Sequence, residues 1–282
     1  MACSVEVEGF GYWSGRDVKV RFRSAPANTG IVFVRSDLPT NNRIPAIVEN
    51  RIEIPRRTTL VADGARVEMV EHIMAALAGL HIDNCEVWVD GIEMPGLDGS
   101  AQAFVDALES AGIVEQNAVR PHLVIDEITR VGNDECWVEA RPVRGKSLSI
   151  RYKLDYGPDS AIGRQTLDLK VTPESFRKEL ASARTFILRS EADWLLKQGL
   201  GSRVTVDDLL VFDDNGPCNN PLRFEDECVR HKTLDLVGDL ALAGCDLVGQ
   251  IIAYRSGHRL NAELVKALLS ENQVSGGLRK TA

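Results

Sequence analysis

Short segments in which apolar and charged residues alternate fill the first part of the chain. Segments 4–8 and 18–23 place apolar residues at every second position with charged residues between them, and 31–35 is a short apolar run. Alternation of this kind predicts antiparallel strands with one face toward water. The dipeptide Asp63-Gly64, between two further strand-like segments, predicts a hairpin turn.

The pattern then changes to one that is typical of helices. Segment 70–80 is apolar and rich in alanine, and it begins with an acid and an imidazole side by side, Glu71 and His72. After an intervening alternating strand, a second helix is predicted at 101–111, with Ser100 in the position of an N-cap residue. Strands, two helices and strands therefore account for the first part of the chain.

A linker at 117–121 is followed by a second series of similar content. Strands are predicted near 123–130, 135–141, 147–154, 165–170, 205–212 and 248–254, and helices near 173–180, 190–198, 223–244 and 260–270. Direct sequence similarity between the two halves is too weak to establish a repeat.

We therefore predict an α+β fold of two similar two-layer domains in the order β-α-α-β, with the helices packed between the sheets and a small insert in each domain. The N-terminal domain is assigned to 1–117 and the C-terminal domain to 121–274. Residues 275–282 contain glycines and are predicted to form a flexible tail.

One predicted helix, of about five turns between Arg223 and Gly244, has a chemically unusual polar face. Glu227, His231, Asp235 and Asp239 follow one another at intervals of four residues, so they line the same side. An imidazole and a carboxylate at this spacing can converge on one cation. A solvated polar stripe with ordinary helix-surface pairs explains the spacing equally well.

Two further spots carry candidate chemistry. Glu71-His72 does not extend to the His-x-x-Glu-His motif of zinc proteases, because Glu68 occupies the position of the first histidine. An accidental pairing at a helix start remains the alternative. His258 follows Gly257 just after a predicted strand, where glycine can free the backbone to aim the imidazole into a cleft; a solvent-exposed histidine is the alternative.

The other two histidines, His81 and His122, have no acidic partner at a useful spacing and are assigned no function.

Composition excludes several classes of function. The net charge of −8, with both signs interspersed, argues against a nucleic-acid-binding protein. No apolar run reaches the roughly 18 to 20 residues that span a bilayer, and the first residues lack the pattern of a secretory signal. Six widely spaced cysteines without a Cys-x-x-Cys pair favour reduced thiols in a cytoplasmic protein and disfavour a thiolate zinc site.

Taken together, these segments are much more specific than any one of them. They include Val70-Glu-His-Ile-Met-Ala-Ala-Leu-Ala-Gly-Leu80 and Leu222-Arg-Phe-Glu-Asp-Glu-Cys-Val-Arg-His-Lys-Thr-Leu-Asp235. The remaining matching segments are 25–30, 82–84, 95–101, 183–186, 238–240 and 253–261. In their order along the chain, these segments resemble the UDP-3-O-acyl-N-acetylglucosamine deacetylases, the zinc enzymes of lipid A biosynthesis. The resemblance covers nearly the whole chain.

The resemblance implies a catalytic zinc site. Its Zn2+ ion would be bound by His72, His231 and Asp235, with a fourth position open for water. Glu71 would be the general base that receives the proton of this water. A set of two histidines and one aspartate suits zinc, and it also suits iron or cobalt.

The resemblance also assigns the remaining catalytic roles. His258 would stabilise the developing oxyanion as a cation and then protonate the leaving amine, and Asp239 would orient His258. Thr185 would donate a hydrogen bond to the tetrahedral oxyanion. The acid–base pair implies a bell-shaped dependence of the rate on pH.

Substrate contacts and partners follow from the same resemblance. Lys232 and Arg255 would face the diphosphate, and Phe186 and Tyr12 would contact other parts of the substrate. The expected partner is a small UDP-acyl-sugar, with no nucleic acid and at most peripheral contact with a membrane. We expect a cytoplasmic monomer.

The chain departs from the family pattern at a few positions. Trp13 replaces a histidine, Glu68-Met69 replaces a Ser-Thr pair, and segment 199–210 carries the charged residues Arg203, Asp207 and Asp208. These changes affect the expected acyl-chain region more than the zinc chemistry. Alternatives are a deacetylase of this family that acts on another N-acetyl sugar, and a metal-binding scaffold without catalysis.

Overall fold

The computed structural model describes residues 1–40, 42–271 and 273–282. Its first half contains the strands β1 (Val5–Phe10), β2 (Asp17–Ser24), β3 (Ile31–Arg35), β4 (Arg43–Pro45), β5 (Arg51–Ile52), β6 (Thr59–Ala62), β7 (Ala65–Glu68) and β8 (Cys85–Val89). The helices of this half are α1 (Glu71–Gly79) and α2 (Gln102–Ser110), and a 3-10 turn spans Val48–Asn50.

The predicted alternation explains the sheet of the first half. In β2, Val18, Val20 and Phe22 are buried while the residues between them are exposed, as expected when successive side chains point to opposite faces. The strand order is β1-β2-β8-β3-β4, with β8 antiparallel to β2 and parallel to β3. Asp63 and Gly64 form the predicted hairpin turn between β6 and β7, with φ of 49° and 85°.

The second half contains the strands β9 (His122–Val124), β10 (Thr129–Gly132), β11 (Trp137–Arg141), β12 (Leu148–Asp155), β13 (Arg164–Lys170), β14 (Phe186–Leu188), β15 (Leu210–Asp213), β16 (Gly216–Pro217), β17 (Asp246–Tyr254) and β18 (Val274–Ser275). Its helices are α3 (Pro173–Ser175), which continues as a π-helical turn (Phe176–Leu180), α4 (Arg189–Lys197), α5 (Glu227–Leu240), which continues as a 3-10 turn (Ala241–Ala243), and α6 (His258–Glu271).

The two halves share one topology. The main path of the second sheet is β10-β11-β17-β12-β13, and β17 is antiparallel to β11 and parallel to β12, as β8 is to β2 and β3. In each half, one long helix precedes the central strand and another follows it. A small three-stranded sheet precedes α1 in the first half and α5 in the second. The predicted α+β fold, with two similar halves and an insert in each, is confirmed.

Because each large sheet draws its strands from one part of the chain only, we propose that 1–117 and 121–274 are separate domains.

Helices α1, α2, α5 and α6 lie between the two large sheets. Helix α2 packs on β1, α5 packs on β12 and β13, and α6 packs on β10 and β11, while α1 and α5 pack on each other. Gly238 of α5 lies at the α1–α5 contact, where a Cβ atom would be 2.1 Å from the carbonyl oxygen of Glu71. The two helices therefore approach each other more closely than any larger residue would allow.

Several boundaries differ from the prediction. The strand expected at 123–130 is two strands, β9 and β10. The N-cap residue of α2 is Ala101, but the hydroxyl of Ser100 still accepts a hydrogen bond from the backbone N–H of Gln102 at 3.2 Å. The long helix is shorter than expected, although its continuation ends at the predicted residue, Gly244, which has a left-handed conformation with a φ of 68°.

Residues 275–282, predicted to form a flexible tail, contact other parts of the protein. Ser275 pairs with His122 through β18 and β9, and the guanidinium of Arg279 donates hydrogen bonds to the carboxylates of Asp83 and Asp246. These contacts connect the tail to both halves of the molecule. The prediction rested on glycine content and did not anticipate the ion pairs of Arg279. Among the described residues, no helix combines the length and apolar character that crossing a membrane requires.

Candidate active site

Helices α1 and α5 bring three potential metal ligands together at their contact. The ligand atoms of His72, His231 and Asp235 all lie within 4.8 Å of one another, and all three residues are buried. Oδ1 of Asp235 lies 3.5 Å from Nε2 of His72 and 3.3 Å from Nε2 of His231. The i, i+4 spacing places His231 and Asp235 on one face of α5, and His72 comes from the first turn of α1.

The surroundings of these side chains fit a metal ion. Oδ1 of Asp235 is buried and has no hydrogen-bond partner among the described residues, whereas Oδ2 accepts a hydrogen bond from Nζ of Lys232 at 2.7 Å. A buried acceptor without a partner is costly unless a cation or donor occupies the space in front of it. Nδ1 of His231 lies 3.1 Å from the carbonyl oxygen of Ala183, which orients Nε2 toward Asp235.

The protonation states also fit a metal ion. Burial lowers the pKa of His231 to about 4, so its imidazole is neutral near pH 7. Burial alone would raise the pKa of Asp235, but the neighbouring His231 and Lys232 outweigh it and hold that pKa well below its usual range. Metal ligation requires a neutral imidazole and an ionised carboxylate.

Glu71 lies beside this cluster at the start of α1. Its Oε2 accepts a hydrogen bond from the backbone N–H of Thr58 at 2.9 Å, and its Oε1 lies 4.0 Å from Nε2 of His258. Burial raises the pKa of Glu71, and His258 and His72 partly offset this shift. A carboxylate whose pKa is raised toward neutrality is a better general base than an exposed one.

His258 lies opposite Glu71 at the start of α6 and is paired with Asp239. Nδ1 of His258 lies 2.8 Å from Oδ2 of Asp239, which also accepts a hydrogen bond from the side-chain amide of Asn261 at 2.8 Å. Burial alone would lower the pKa of His258, but the charge and hydrogen bond of Asp239, with Glu71 next, raise it to about 9. The imidazole is therefore a cation near pH 7.

Thr185 and Phe186 line the cavity beside the metal cluster. The backbone of Thr185 donates a hydrogen bond to Gly99 at 2.8 Å and accepts one from Leu210 at 3.0 Å, which fixes this segment between the two halves. The ring of Phe186 lies 6.3 Å from the ring of His231. These backbone contacts hold Thr185 in the cavity wall, next to Phe186.

A cavity of about 1300 Å³ opens from these residues. One part of its wall, contributed by the insert of the second half, is apolar and includes Leu195, Leu200 and Val204. The lining also includes Arg255, and Arg164, which is paired with Asp155. The cavity thus combines apolar and charged side chains, as small-molecule sites commonly do.

The residues predicted to contact the substrate differ in whether their polar groups are already engaged within the protein. Lys232 lines the cavity, but its ammonium is already paired with Asp235. Tyr12 lines the cavity, and its hydroxyl donates to the carbonyl oxygens of Leu97 and Asp208. The Tyr12 hydroxyl is therefore engaged within the protein.

Two positions that depart from the family pattern meet on the cavity wall. The indole Nε1 of Trp13 donates to Sδ of Met69 at 3.3 Å, and the guanidinium of Arg57 stacks 4.5 Å from the Trp13 ring centre. Both Trp13 and Met69 line the cavity. Trp13 and Met69 thus contact each other and form one surface of the cavity wall.

Two interpretations of single motifs are wrong. The polar face of α5 is not a solvated stripe, because Glu227, His231, Asp235 and Asp239 are all buried. The turn before His258 does not depend on the backbone freedom of Gly257, since the left-handed residue there is Arg255, with a φ of 49°.

Sequence reasoning missed Thr58 and Asn261 as neighbours of the reactive groups. Asn261 lies in a segment that carries the resemblance, but no role was assigned to it. Nothing near Thr58 in the sequence distinguishes it from any other threonine of a strand-rich segment. His81 and His122, which were assigned no function, are not among the residues that line the cavity.

Comparison with known proteins identifies the family of the chain. Residues 1–270 match the model of a family described as UDP-3-O-acyl N-acetylglycosamine deacetylase. Proteins named UDP-3-O-acyl-N-acetylglucosamine deacetylase from Brucella ovis, Brucella suis and Brucella melitensis are each 42% identical to the chain over 270 residues, which cover 95% of the chain and 93% of each relative. The chain therefore belongs to the UDP-3-O-acyl N-acetylglycosamine deacetylase family.

Proposed function

We propose that the protein hydrolyses the N-acetyl group of UDP-3-O-acyl-N-acetylglucosamine and releases acetate, a step of lipid A biosynthesis. Membership of the family makes it a deacetylase. The observation that carries the proposal is the convergence of a buried His-His-Asp cluster with one carboxylate, Glu71, and one cationic imidazole, His258. A metal-binding scaffold has no need for an acid and a base at the rim of one ion.

We propose that the metal is zinc, held by His72, His231 and Asp235. Two imidazoles and one carboxylate are a ligand set of catalytic zinc, and the unpartnered Oδ1 of Asp235 supplies the carboxylate oxygen. A zinc ion bound there supplies Lewis acidity and makes a water molecule acidic near neutral pH.

Glu71 accepts the proton of the attacking water. The backbone N–H of Thr58 holds its Oε2, so that Oε1 is the oxygen that faces His258 and the reacting region. The burial that raises the pKa of Glu71 also raises its basicity when it is ionised.

His258 acts as the acid. Its imidazole is protonated at neutral pH because Asp239 and Glu71 hold its pKa at about 9. As a cation it stabilises the negative charge that develops on the acetyl oxygen. It then transfers a proton to the nitrogen of the leaving amine, and Asp239 stabilises the cation and fixes the orientation of the ring.

Substrate is held by the remaining cavity residues. Thr185 donates a hydrogen bond to the acetyl oxygen, and Phe186 packs against the sugar region. Arg255 faces the diphosphate together with Lys232, whose ammonium stays paired with Asp235, and the acyl chain lies along the apolar wall of the second insert. Trp13 and Met69, which contact each other, limit which substrate groups fit at their end of the cavity.

We further propose that the protein works as a monomer in the cytoplasm. His72, His231 and Asp235 meet within a single copy of the chain, so the site needs no residue from a second copy. All six cysteines are free, which suits a reducing compartment.

The test is an assay of amide hydrolysis by the zinc-loaded protein. UDP-3-O-acyl-N-acetylglucosamine should yield equal amounts of acetate and free amine, and Glu71→Gln should retain zinc but lose at least about 100-fold in turnover. Release from another N-acetylated sugar alone would favour a different substrate within the family. Retained zinc without hydrolysis of any amide would contradict the proposal.

A further inference from the structure

Thr58 joins the base and the acid of the proposed reaction. Its backbone N–H donates to Oε2 of Glu71 at 2.9 Å, and its hydroxyl donates to Oδ1 of Asp239 at 2.6 Å. Thr58 is 1% exposed and is not among the residues that line the cavity. Its two hydrogen-bond donors are therefore directed at two carboxylates of the reactive centre.

These contacts complete a ring of four residues. Oδ2 of Asp239 lies 2.8 Å from Nδ1 of His258, and Nε2 of His258 lies 4.0 Å from Oε1 of Glu71. Thr58 closes the ring on the side away from the cavity. Each carboxylate thus uses one oxygen to bind Thr58 and the other to face His258.

We propose that Thr58 is a positioning residue that sets the orientation of Asp239, and through it the orientation of His258. The catalytic consequence of this inference rests on the proposed function. The contacts of Thr58 can be tested without measuring turnover. Thr58 itself touches neither substrate nor the reacting atoms.

The physical reason lies in the number of donors around Asp239. Its Oδ2 is bound by Asn261 and His258, and its Oδ1 is bound by the Thr58 hydroxyl. Without that hydroxyl, Oδ1 would be a buried charged acceptor with no partner, and the carboxylate would rotate toward another donor. Such a rotation would move Oδ2 away from Nδ1 of His258.

The neighbouring residue, Thr59, provides a matched control. It is 0% exposed, and its hydroxyl has no hydrogen-bond partner among the described residues. Replacing it by valine removes the same hydroxyl from the same strand-rich insert without touching Asp239. Any general effect of a Thr→Val change in this insert should therefore occur in both variants.

The experiment compares Thr58→Val, Thr58→Ser and Thr59→Val in the zinc-loaded protein. Thr58→Val keeps the backbone N–H to Glu71 and loses the hydroxyl, so kcat should fall by roughly 10- to 100-fold while KM changes less than about twofold. Thr58→Ser should recover most of the activity, and Thr59→Val should match the wild type. Zinc content should be equal in all four proteins.

A second measurement does not depend on turnover. In protein with 15N-labelled histidine, the Nδ1–H resonance of His258 should shift or broaden in Thr58→Val and remain at its wild-type position in Thr58→Ser and Thr59→Val. A wild-type protein that hydrolyses the substrate, combined with an unchanged kcat and an unchanged His258 resonance in Thr58→Val, would overturn the inference. An inactive wild type with the expected shift of the resonance would instead contradict the proposed function and leave the positioning role supported.

Discussion

Nδ1 of His258 lies 2.8 Å from Oδ2 of Asp239, and the two side chains are 11% and 0% exposed. Because both side chains are largely buried, water screens their interaction less than it would at the surface. That interaction, with smaller contributions from Glu71 and Asp235, outweighs the effect of burial and raises the pKa of His258 to about 9. The acid of the proposed reaction is thus available at neutral pH.

Asp239→Asn should move the alkaline limb of the pH–rate profile. Without the carboxylate, burial lowers the pKa of His258 from about 9 toward or below its ordinary value of 6.5. The rate of the variant should therefore begin to fall at a lower pH than that of the wild type. The measurement is kcat/KM between pH 5 and 10, with the exposed Asp168→Asn as the control that keeps the wild-type profile. An alkaline limb that stays near pH 9 in Asp239→Asn would contradict the assignment.

The same shift links the charge of His258 to the free energy of unfolding. Because its pKa is raised in the folded protein, the stabilisation is fully present below about pH 6.5 and is lost as pH rises through about 9. The difference in melting temperature between wild type and His258→Gln should therefore shrink between these values. A difference that is constant from pH 6 to 10 would be inconsistent with a charged His258 in the folded state.

Loss of one metal ligand should weaken zinc binding strongly. Loss of a residue that only hydrogen bonds to a ligand weakens metal binding by about 10- to 100-fold, and loss of a ligand itself should weaken it more. His231→Gln and Asp235→Asn should both bind substoichiometric zinc after dialysis, since each removes one of three converging ligands. Zinc content measured by mass spectrometry checks this expectation. His122→Gln, a histidine outside the cluster, should retain the wild-type content. Full zinc content in both ligand variants would show that the ion binds elsewhere.

Gly238→Ala should separate α1 from α5. Its new Cβ would lie 2.1 Å from the Glu71 carbonyl oxygen and 3.1 Å from the Ala75 nitrogen, both of them backbone atoms that cannot rotate away. Overpacking of this kind costs about 1–3 kcal/mol or more, and here it also displaces His72 from the ligands on α5. Chemical unfolding and a zinc titration measure the two effects. Gly276→Ala, at a position with open space around it, should change neither.

Glu227→Gln should destabilise the protein strongly. Glu227 is fully buried and bonds the guanidinium of Arg184 through both of its oxygens, at 2.8 and 3.1 Å. Leaving Arg184 as an unpaired buried cation should cost on the order of 3 kcal/mol of unfolding free energy.

Glu263→Gln is the matched control for this change, because it breaks the exposed pair with Arg259 and should cost less than about 1 kcal/mol. Equal costs in urea unfolding would argue against a dominant role of burial at Glu227.

Much of the site could be predicted from sequence because its chemistry is concentrated in short segments. The spacing of His231 and Asp235 indicates a shared helix face without any structure. That His72 is the third member follows from the family resemblance and not from spacing, since it lies on another helix. The close approach at Gly238 brings α1 and α5 together, and no local pattern announces such a contact between distant residues.

Other features could not be predicted because they depend on what packs around them. The four-residue repeat on α5 describes a polar face, but only packing shows that this face is buried. Arg279 looks like an ordinary charge in a glycine-containing tail until the fold brings Asp83 and Asp246 to it from the two halves of the molecule. The role of Thr58 could not be predicted either. Asp239 is far from it in the sequence, and Glu71 lies on helix α1.

The most direct test of the account is the position of the metal ion in crystals of the zinc-loaded protein. An anomalous difference map recorded at the zinc absorption edge should show one strong peak about 2.0–2.2 Å from Nε2 of His72, Nε2 of His231 and a carboxylate oxygen of Asp235. Glu71 and His258 should flank the peak without ligating it. A peak at any other site, or the lack of a peak in protein that contains zinc and hydrolyses the substrate, would contradict the central claim.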